Sequence, residues 1–413
     1  MKARIPARAI WALGVTQIIG YGTLYYSFSV TAPAIGREFN WPSEWVYAAL
    51  TVALLAGGFM APVAGHLADK FGASRVMTLG SLATALTFVA AALSPNGLAY
   101  GGALVAMEIA SSFVLYSTAF AALVQVAGQD AQRSITHLTL IAGFASTIFW
   151  PITSLLLERM DWHGVYLVFA ALNLLICAPL HFWLGRLSKE DTAALPAGTG
   201  TGAGSASFRT LHGRNRTIGF ALMLLGFAVE GFILSAVVMQ IIPLLTGLGL
   251  GSNMLLITTL FGPAQVLSRL ANMVLGKNLP STRLAIIAAA LPPLALAVVA
   301  LTAPSLAGSI VFAILFGLGS GLTSIVAGAL PLQLLGREKY GARLGWLSSS
   351  RQVASAVSPF CLALMMAAFG MTGALWAMSF LGLVSTLTFA AIAMLPRSVA
   401  PAPESSLATS AAS

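Results

Sequence analysis

The stretch "GHLADKFGASR", residues 65–75, is a short polar segment between two long apolar ones. It carries charged side chains, including Asp69 and Arg75, whereas the flanking runs near residues 45–66 and 74–93 contain no further Asp, Glu, Lys or Arg. Each run has the length of about 20 residues that an α-helix needs to cross a hydrocarbon core roughly 30 Å thick. The stretch therefore predicts a tight loop between two membrane-spanning helices.

The rest of the chain repeats this pattern. Of its 413 residues 58% are hydrophobic and only 8% are charged, against roughly 25% charged in an ordinary globular domain. The apolar runs are continuous and do not alternate with polar residues, which favours helices over a β-barrel. Twelve spans are predicted, near residues 9–31, 45–66, 74–93, 98–126, 134–157, 164–185, 217–243, 253–276, 284–303, 307–333, 343–369 and 372–395.

The predicted fold class is an all-α membrane protein whose twelve transmembrane helices form two pseudo-symmetric six-helix bundles. The N-terminal bundle covers residues 1–185 and the C-terminal bundle residues 217–395. Between them lies a polar segment, residues 186–216, whose "PAGTGTGAGSAS" core is typical of a flexible linker. Residues 396–413 are predicted to be a disordered tail.

Positive charge is distributed very unevenly about the predicted spans. Seventeen of the 21 Lys and Arg residues fall in segments on one side, and only Arg37 and Arg159 fall on the other. By the positive-inside rule both termini and the linker are cytoplasmic, in a bacterial inner (plasma) membrane. The net charge of +9 is therefore a topology signal, and no basic domain large enough to bind nucleic acid is predicted.

The loop at 65–75 resembles the signature loop of the major facilitator superfamily, and the twelve spans with a central linker extend this resemblance over the whole chain. The matching residues are Gly65, Leu67, Asp69, Lys70, Gly72 and Arg75, while Ala73 and Ser74 depart from the pattern. The resemblance implies that Gly65, Asp69, Lys70, Gly72 and Arg75 form a conformational latch, in which the aspartate meets basic groups and the start of span 11. An ordinary polar turn is the alternative.

Two arginines lie deep within predicted spans, away from their ends, where each costs about 2.5–3.5 kcal/mol on insertion scales. Arg269 shares a helical face with Gln265 and Asn272, and Arg351 shares one with Ser355. Because a guanidinium binds a carboxylate through two parallel hydrogen bonds, the pair predicts an anion site. The alternative is structural pairing with a buried carboxylate such as that of Glu230.

Span 1, "YGTLYYSFSVTAPAIGREFNW" at residues 21–41, together with the basic residues of spans 8 and 11, resembles the monocarboxylate-porter and oxalate–formate-exchanger branch. The resemblance implies that Arg269 and Arg351 contact the substrate carboxylate. It also implies acidic residues for proton coupling, but Ile19 and Gln265 stand at those places. Proton symport by that route is therefore not expected.

Other polar residues in the spans complete the candidate site. Glu108 in span 4 and Glu230 in span 7 are candidates for carrying a coupled proton, because the resemblance places both spans beside the central cavity. A structural interhelical hydrogen bond is the alternative for each. Tyr25 and Tyr116 are candidates for donating a hydroxyl to a carboxylate, with aromatic packing as the alternative.

The sequence thus predicts a secondary active transporter that moves a small organic anion, a monocarboxylate, by alternating access as a symporter or antiporter. Expected partners are this anion, the lipid bilayer and, if coupled, protons, with the chain acting as a monomer. The alternatives are a drug or metabolite exporter of the same superfamily and a membrane sensor that does not transport. No enzyme activity, metal or cofactor is expected, because no nucleophile–base or metal-ligand cluster is found and "GTGTGAGS" lacks the lysine of a phosphate loop.

Overall fold

The computed structural model describes residues 5–193, 210–250, 254–276 and 279–397. Apart from one bridge residue at Thr210, the regular secondary structure of these ranges is helical. Nine helical stretches of the described chain are long and apolar enough to cross a membrane, and the longest holds both spans 11 and 12. Spans 1 and 8 are divided into shorter helices, which completes the predicted twelve. The core of the predicted linker and nearly all of the predicted tail lie outside the described residues.

The first six spans form the N-terminal half, and several of them contain an irregular turn. The span 1 helix extends beyond both predicted ends, and the span 6 helix continues into the segment predicted as a linker. The bounds are Ile5–Tyr21, Gly22–Tyr26 (a π-helical turn) and Phe28–Glu38 for span 1; Ser43–Phe71 for span 2; Ala73–Ala92 for span 3; Gly97–Ser111 and Tyr116–Ala127 for span 4; Ala131–Ala142 and Ala145–Leu157 for span 5; and Trp162–Leu172, Asn173–Cys177 (a π-helical turn) and Ala178–Ala193 for span 6.

The last six spans form the C-terminal half. Spans 11 and 12 run together in one helical stretch that is divided at Gly370, whose φ of 70° breaks the helix. A continuous helix of this length would measure about 80 Å, far more than the membrane thickness. The bounds are Gly213–Met239 and Ile241–Gly247 for span 7; Met254–Thr259 and Phe261–Leu275 for span 8; Ser281–Thr302 for span 9; Leu306–Leu335 for span 10; and Tyr340–Met394 for spans 11 and 12.

The same hydrogen bond is formed at equivalent positions of the two halves. In the N-terminal half the side-chain carbonyl of Gln125, at the end of span 4, accepts from the backbone N–H of Ala73 at 2.9 Å. In the C-terminal half Gln333, at the end of span 10, accepts in the same way from Ser281 at 2.8 Å. Both pairs are 52 residues apart in sequence. This correspondence supports a duplicated six-helix unit, although the two sequences have diverged.

Hydrophobic packing differs between the two ends of the bundle. We call the end that contains the loops after Phe71, Ala127, Leu275 and Leu335 the basic end, and the other the distal end. A single buried cluster at the basic end includes Leu13 and Phe120 of one half with Leu330 and Leu344 of the other. At the distal end each half has its own cluster, one containing Phe88 and Tyr166 and the other Phe312 and Met378. The bundle is therefore closed at its basic end.

Candidate substrate site

Arg269 of span 8 lies at the contact between the two halves. Its side chain is only 6% exposed, and its Nε donates to the Ser324 hydroxyl at 3.2 Å and to the Gly321 carbonyl oxygen at 3.4 Å, both in span 10. Its Nη1 is buried and has no hydrogen-bond partner among the described residues. This nitrogen lies against Gly143 of span 5, in the opposite half. One edge of the guanidinium is thus held by its own half, and another is left unsatisfied at the interface.

Arg351 of span 11 approaches the same region from a second direction. Its aliphatic stem packs across Gly231 of span 7, and its guanidinium makes no hydrogen bond to any described residue. The positive charges of Arg269 and Arg351 both act on the hydroxyls of Tyr26 and Tyr116, from spans 1 and 4. Two cations from one half therefore converge on tyrosines from the other.

No carboxylate neutralises these arginines in the part of the chain that the structure describes. Glu230 is close enough to act electrostatically on Arg351, but no ion pair forms between them. The Arg–carboxylate ion pair of the described chain is partly exposed and lies elsewhere, between Arg216 and Glu338. Glu38 lies 3.0 Å from Nε2 of His163. The expected alternative, structural pairing with Glu230, is not seen in this conformation.

Glu230 and Glu108 are buried, at 3% and 5% exposure. The Thr323 hydroxyl contacts Glu230 Oε1 and also lies 3.0 Å from the Gly319 carbonyl oxygen. Because a hydroxyl has one hydrogen and a carbonyl has none, either Thr323 shares its hydrogen between the two oxygens or a protonated Glu230 donates to the Thr323 hydroxyl. Glu108 Oε2 lies 3.2 Å from the Ser111 hydroxyl. Each carboxyl group thus has a hydroxyl partner and, among the described residues, no cationic hydrogen-bond partner.

The tyrosines of spans 1 and 4 form an aromatic cluster beside the arginines. Tyr116 stacks on Phe120 with a centroid separation of 5.0 Å and meets Tyr21 at 4.6 Å. Tyr25 packs edge-on against Tyr26 at 5.2 Å and is half-exposed. The rings of these tyrosines pack as the alternative interpretation expected. Of these residues, Tyr26 and Tyr116 are within electrostatic reach of both guanidinium groups.

The remaining candidate substrate ligands are Gln265, Ser355 and Asn272. Gln265 donates from Nε2 to the Ser320 hydroxyl of span 10 at 3.3 Å, within its own half. The Ser355 hydroxyl donates to the Gly231 carbonyl oxygen at 3.0 Å, so its hydrogen is already used in packing span 11 on span 7. Asn272 makes no side-chain hydrogen bond to a described residue and lies one turn from the end of span 8. Their roles as substrate ligands remain predictions.

Sequence reasoning missed three neighbours of the charged groups. Thr323 and Ser324 of span 10 contact Glu230 and Arg269 respectively, and Gly143 of span 5 faces the Arg269 guanidinium. The adjacent Thr and Ser inside a long apolar run were a usable signal for the first two. Gly143 gave no local signal, because its contact crosses from one half to the other.

The candidate latch residue Asp69 joins the two halves at the basic end. Its Oδ1 accepts from the backbone N–H of Gly341 at 2.9 Å and its Oδ2 from that of Ala342 at 2.8 Å. Both amides belong to the first turn of the span 11 helix, where a negative charge is stabilised. Gly65 packs directly on the Gly341 backbone, with no room for a Cβ at position 65. The carboxylate thus bridges the halves at a helix N-terminus.

The other candidate latch residues are Gly72, Lys70 and Arg75, which belong to the signature loop. Gly72 has φ 90° and ψ 129°, a conformation that residues with a side chain rarely adopt. Lys70 lies 5.1 Å from the ring centroid of Phe71, and Arg75 makes no ion pair within the described ranges. The roles of Lys70 and Arg75 in a latch remain predictions.

We expect Asp69→Asn to shift the bundle away from the state closed at its basic end and to slow transport. The amide keeps one acceptor oxygen but loses the charge and one of the two hydrogen bonds, a change of about 1.5–3 kcal/mol or 10- to 150-fold in population. Spectroscopic distances across the basic end of the full chain would measure the shift. Asp161→Asn is the matched control, because that carboxylate accepts from Gly164 N within one half. Unchanged closed and open populations in Asp69→Asn would refute the latch.

Comparison with known proteins agrees with this architecture. A family model for the Major Facilitator Superfamily matches residues 15–359. No curated protein sequence matches the chain. Similar solved structures include the human organic anion transporter MFSD10 (TETRAN), with a TM-score of 0.70 and 14% identity over 93% of this chain and 99% of that one. The proton:xylose symporter XylE gives 0.69 and 12% over 95% and 97%, and the transporter FucP, in an outward conformation, gives 0.65 and 14% over 92% and 98%.

Proposed function

The chain belongs to the Major Facilitator Superfamily, and on this premise we propose that it is a secondary transporter of a small organic anion, specifically a monocarboxylate. Alternating access is the proposed mechanism, with the anion held between the two halves. We propose that the basic end faces the cytoplasm and that the membrane is a plasma membrane, which the excess of Lys and Arg at this end supports. The described conformation is then closed toward the cytoplasm.

The observation that carries the proposal is the unsatisfied guanidinium of Arg269. A buried charge is normally paired or hydrogen-bonded, because desolvation without compensation is costly. Here Nη1 is buried without a partner in the described chain, and the half-buried Arg351 is also unpaired. A carboxylate between them would accept from both guanidinium groups and from nearby tyrosine hydroxyls. These groups suit an anion better than a neutral sugar.

Fold similarity does not decide the substrate. Among the similar structures, one is of an organic anion transporter and another is of a proton:xylose symporter, at identities that establish the fold alone. The choice of an anion therefore rests on Arg269 and Arg351. Glu230 and Glu108 are proposed as the candidates for proton coupling, since both are buried and neither has a cationic hydrogen-bond partner in the described ranges.

Binding can be tested with matched charged and neutral ligands. Purified protein would be heated with propionate or with propionamide, which has the same shape without the charge. A ligand at 100 times its Kd stabilises the folded state by about 2.7 kcal/mol, so propionate or a related monocarboxylate should raise the melting temperature and the amide should not. An equal response to acid and amide across a series of such pairs would overturn the anion site.

Transport needs a separate measurement. Proteoliposomes loaded with a labelled monocarboxylate that passes the binding test should release it in exchange for external substrate. Liposomes without protein are the control for passive leakage of the protonated acid. Binding without any flux would instead support a sensor that does not transport.

A further inference from the structure

Gly143 of span 5 has a backbone conformation that does not require glycine. It lies at the junction of the Ala131–Ala142 and Ala145–Leu157 helices, with φ −61° and ψ −20°, values that any residue adopts in a helix. Glycine is less favourable than alanine in such a conformation, because more backbone freedom is lost on folding. The reason for glycine here must lie in what surrounds it.

The missing side chain makes room for a charged group of the other half. A Cβ at position 143 would collide with Nη1 of Arg269, the nitrogen that has no hydrogen-bond partner within the described residues. The opposite edge of that guanidinium is fixed by Ser324 and Gly321 of span 10. Arg269 is therefore held between its own half and the backbone of span 5.

The internal repeat shows that this arrangement is asymmetric. Under the correspondence that matches Ala73 with Ser281 and Gln125 with Gln333, Gly143 matches Arg351. One half thus carries an arginine at this position, and the other carries the glycine against which the second arginine lies. The two arginines are therefore not equivalent in the repeat, and the guanidinium of Arg269 packs against the glycine that corresponds to Arg351.

We infer that Gly143 is a positioning residue, which sets the Arg269 guanidinium for anion binding only when spans 5 and 8 are in contact at the basic end. This inference rests on the proposed function, since it assumes that the anion binds Arg269. Because a ligand favours the state that it binds better, the anion would stabilise closure of the basic end. Separation of spans 5 and 8 would remove the span 5 backbone from the Arg269 guanidinium and so weaken binding of the anion.

Gly143→Ala is the test, with a double-mutant cycle to separate positioning from simple packing. The added methyl group should displace the guanidinium and lower carboxylate affinity at least about tenfold, the loss expected for one misaligned charge-assisted hydrogen bond. In the Arg269→Lys background the same substitution should have little further effect, since lysine has no Nη1. Gly102→Ala in span 4 is the matched control, because a Cβ there meets nothing within 4 Å. Wild-type affinity in Gly143→Ala, or an equal loss in the Arg269→Lys background, would overturn the inference.

A measurement without ligand separates this inference from the proposed function. Spin labels would replace the exposed residues His137 of span 5 and Val274 of span 8 in the full chain, with Cys177 and Cys361 substituted. Gly143→Ala should lengthen the distance between the labels in the absence of anion, whereas Gly102→Ala should not. An unchanged distance would count against Gly143 even if the anion binds. Failure of every carboxylate to bind the wild type would refute the proposed function and leave the distance test valid.

Discussion

Arg269→Ala is expected to weaken carboxylate binding by about 10- to 150-fold, which corresponds to the 1.5–3 kcal/mol of a charge-assisted hydrogen bond. The guanidinium is the only part of this side chain that offers hydrogen bonds, and Nη1 has no described partner to replace. Affinity would be measured by isothermal titration calorimetry with the monocarboxylate that gives the largest thermal shift. Arg351→Ala should cause a loss of similar size.

Two further variants make this result specific. Arg269→Lys should lose less affinity than Arg269→Ala, because lysine keeps the charge but not the planar fork. Arg283→Ala removes the same side chain from an exposed position at the start of span 9, so it should bind normally. If both Arg269→Ala and Arg351→Ala bind with wild-type affinity, the anion site is wrong.

The ligand-free stability of Arg269→Ala should not fall. The substitution removes a buried and incompletely bonded charge, which is unfavourable for folding. The Gly321 carbonyl oxygen keeps a partner, because the Ser324 hydroxyl donates to it at 2.7 Å. A melting temperature at or above that of the wild type would show that lost binding is not lost folding.

The number and order of the spans could be predicted because membrane thickness sets the length of an apolar run. The break at Gly370 falls between the predicted spans 11 and 12, where the apolar pattern weakens. Interruptions inside spans could not be predicted. In span 4 the helix is interrupted after Ser111, and the residues of this turn form hydrogen bonds with other helices. Gln17 Nε2 donates to the Val114 carbonyl oxygen at 2.7 Å, and the Ser112 hydroxyl donates to the Gly57 carbonyl oxygen at 2.8 Å. Such hydrogen bonds leave no local pattern.

The candidate site could likewise be predicted only in part. Arg269 and Arg351 stand out in sequence because a charge inside an apolar run is costly. Their surroundings depend on which helices pack against each other, and the spacing of residues within one span does not show this. Gln265 and Arg269 were predicted to share a face, and both bond to span 10, through Ser320 and Ser324. The contact of Arg269 with Gly143 in the other half could not be predicted.

The hydrogen bonds of Glu230 suggest how a proton could be linked to the anion. Thr323 can donate either to the Gly319 carbonyl oxygen or to Glu230, so it can adapt to a protonated or an ionised carboxyl group. Arg351 is within electrostatic reach. Ionised Glu230 would be favoured while Arg351 is free, and an arriving anion that occupies Arg351 would favour protonation of Glu230.

Glu230→Gln is therefore expected to abolish proton-driven accumulation while sparing exchange. With one proton per monovalent anion, the wild type should concentrate substrate about tenfold for each unit of pH gradient, because one pH unit and a tenfold concentration ratio are the same free energy. Glutamine has the shape of the protonated acid but cannot release a proton, so accumulation should fall to the level that passive entry of the protonated acid gives in liposomes without protein. Uptake into proteoliposomes with and without an inward proton gradient would measure both activities.

Glu108→Gln separates the two candidate acids. It makes the same chemical change in the other half, where the partner is Ser111, and it should retain accumulation if Glu230 is the coupling group. Accumulation by Glu230→Gln would exclude Glu230, and its loss only in Glu108→Gln would move coupling to the N-terminal half. A wild type that exchanges substrate but ignores the proton gradient would remove proton coupling altogether. The proposed anion site would then stand without it, because the contacts proposed between the carboxylate and Arg269 and Arg351 do not depend on which ion drives the cycle.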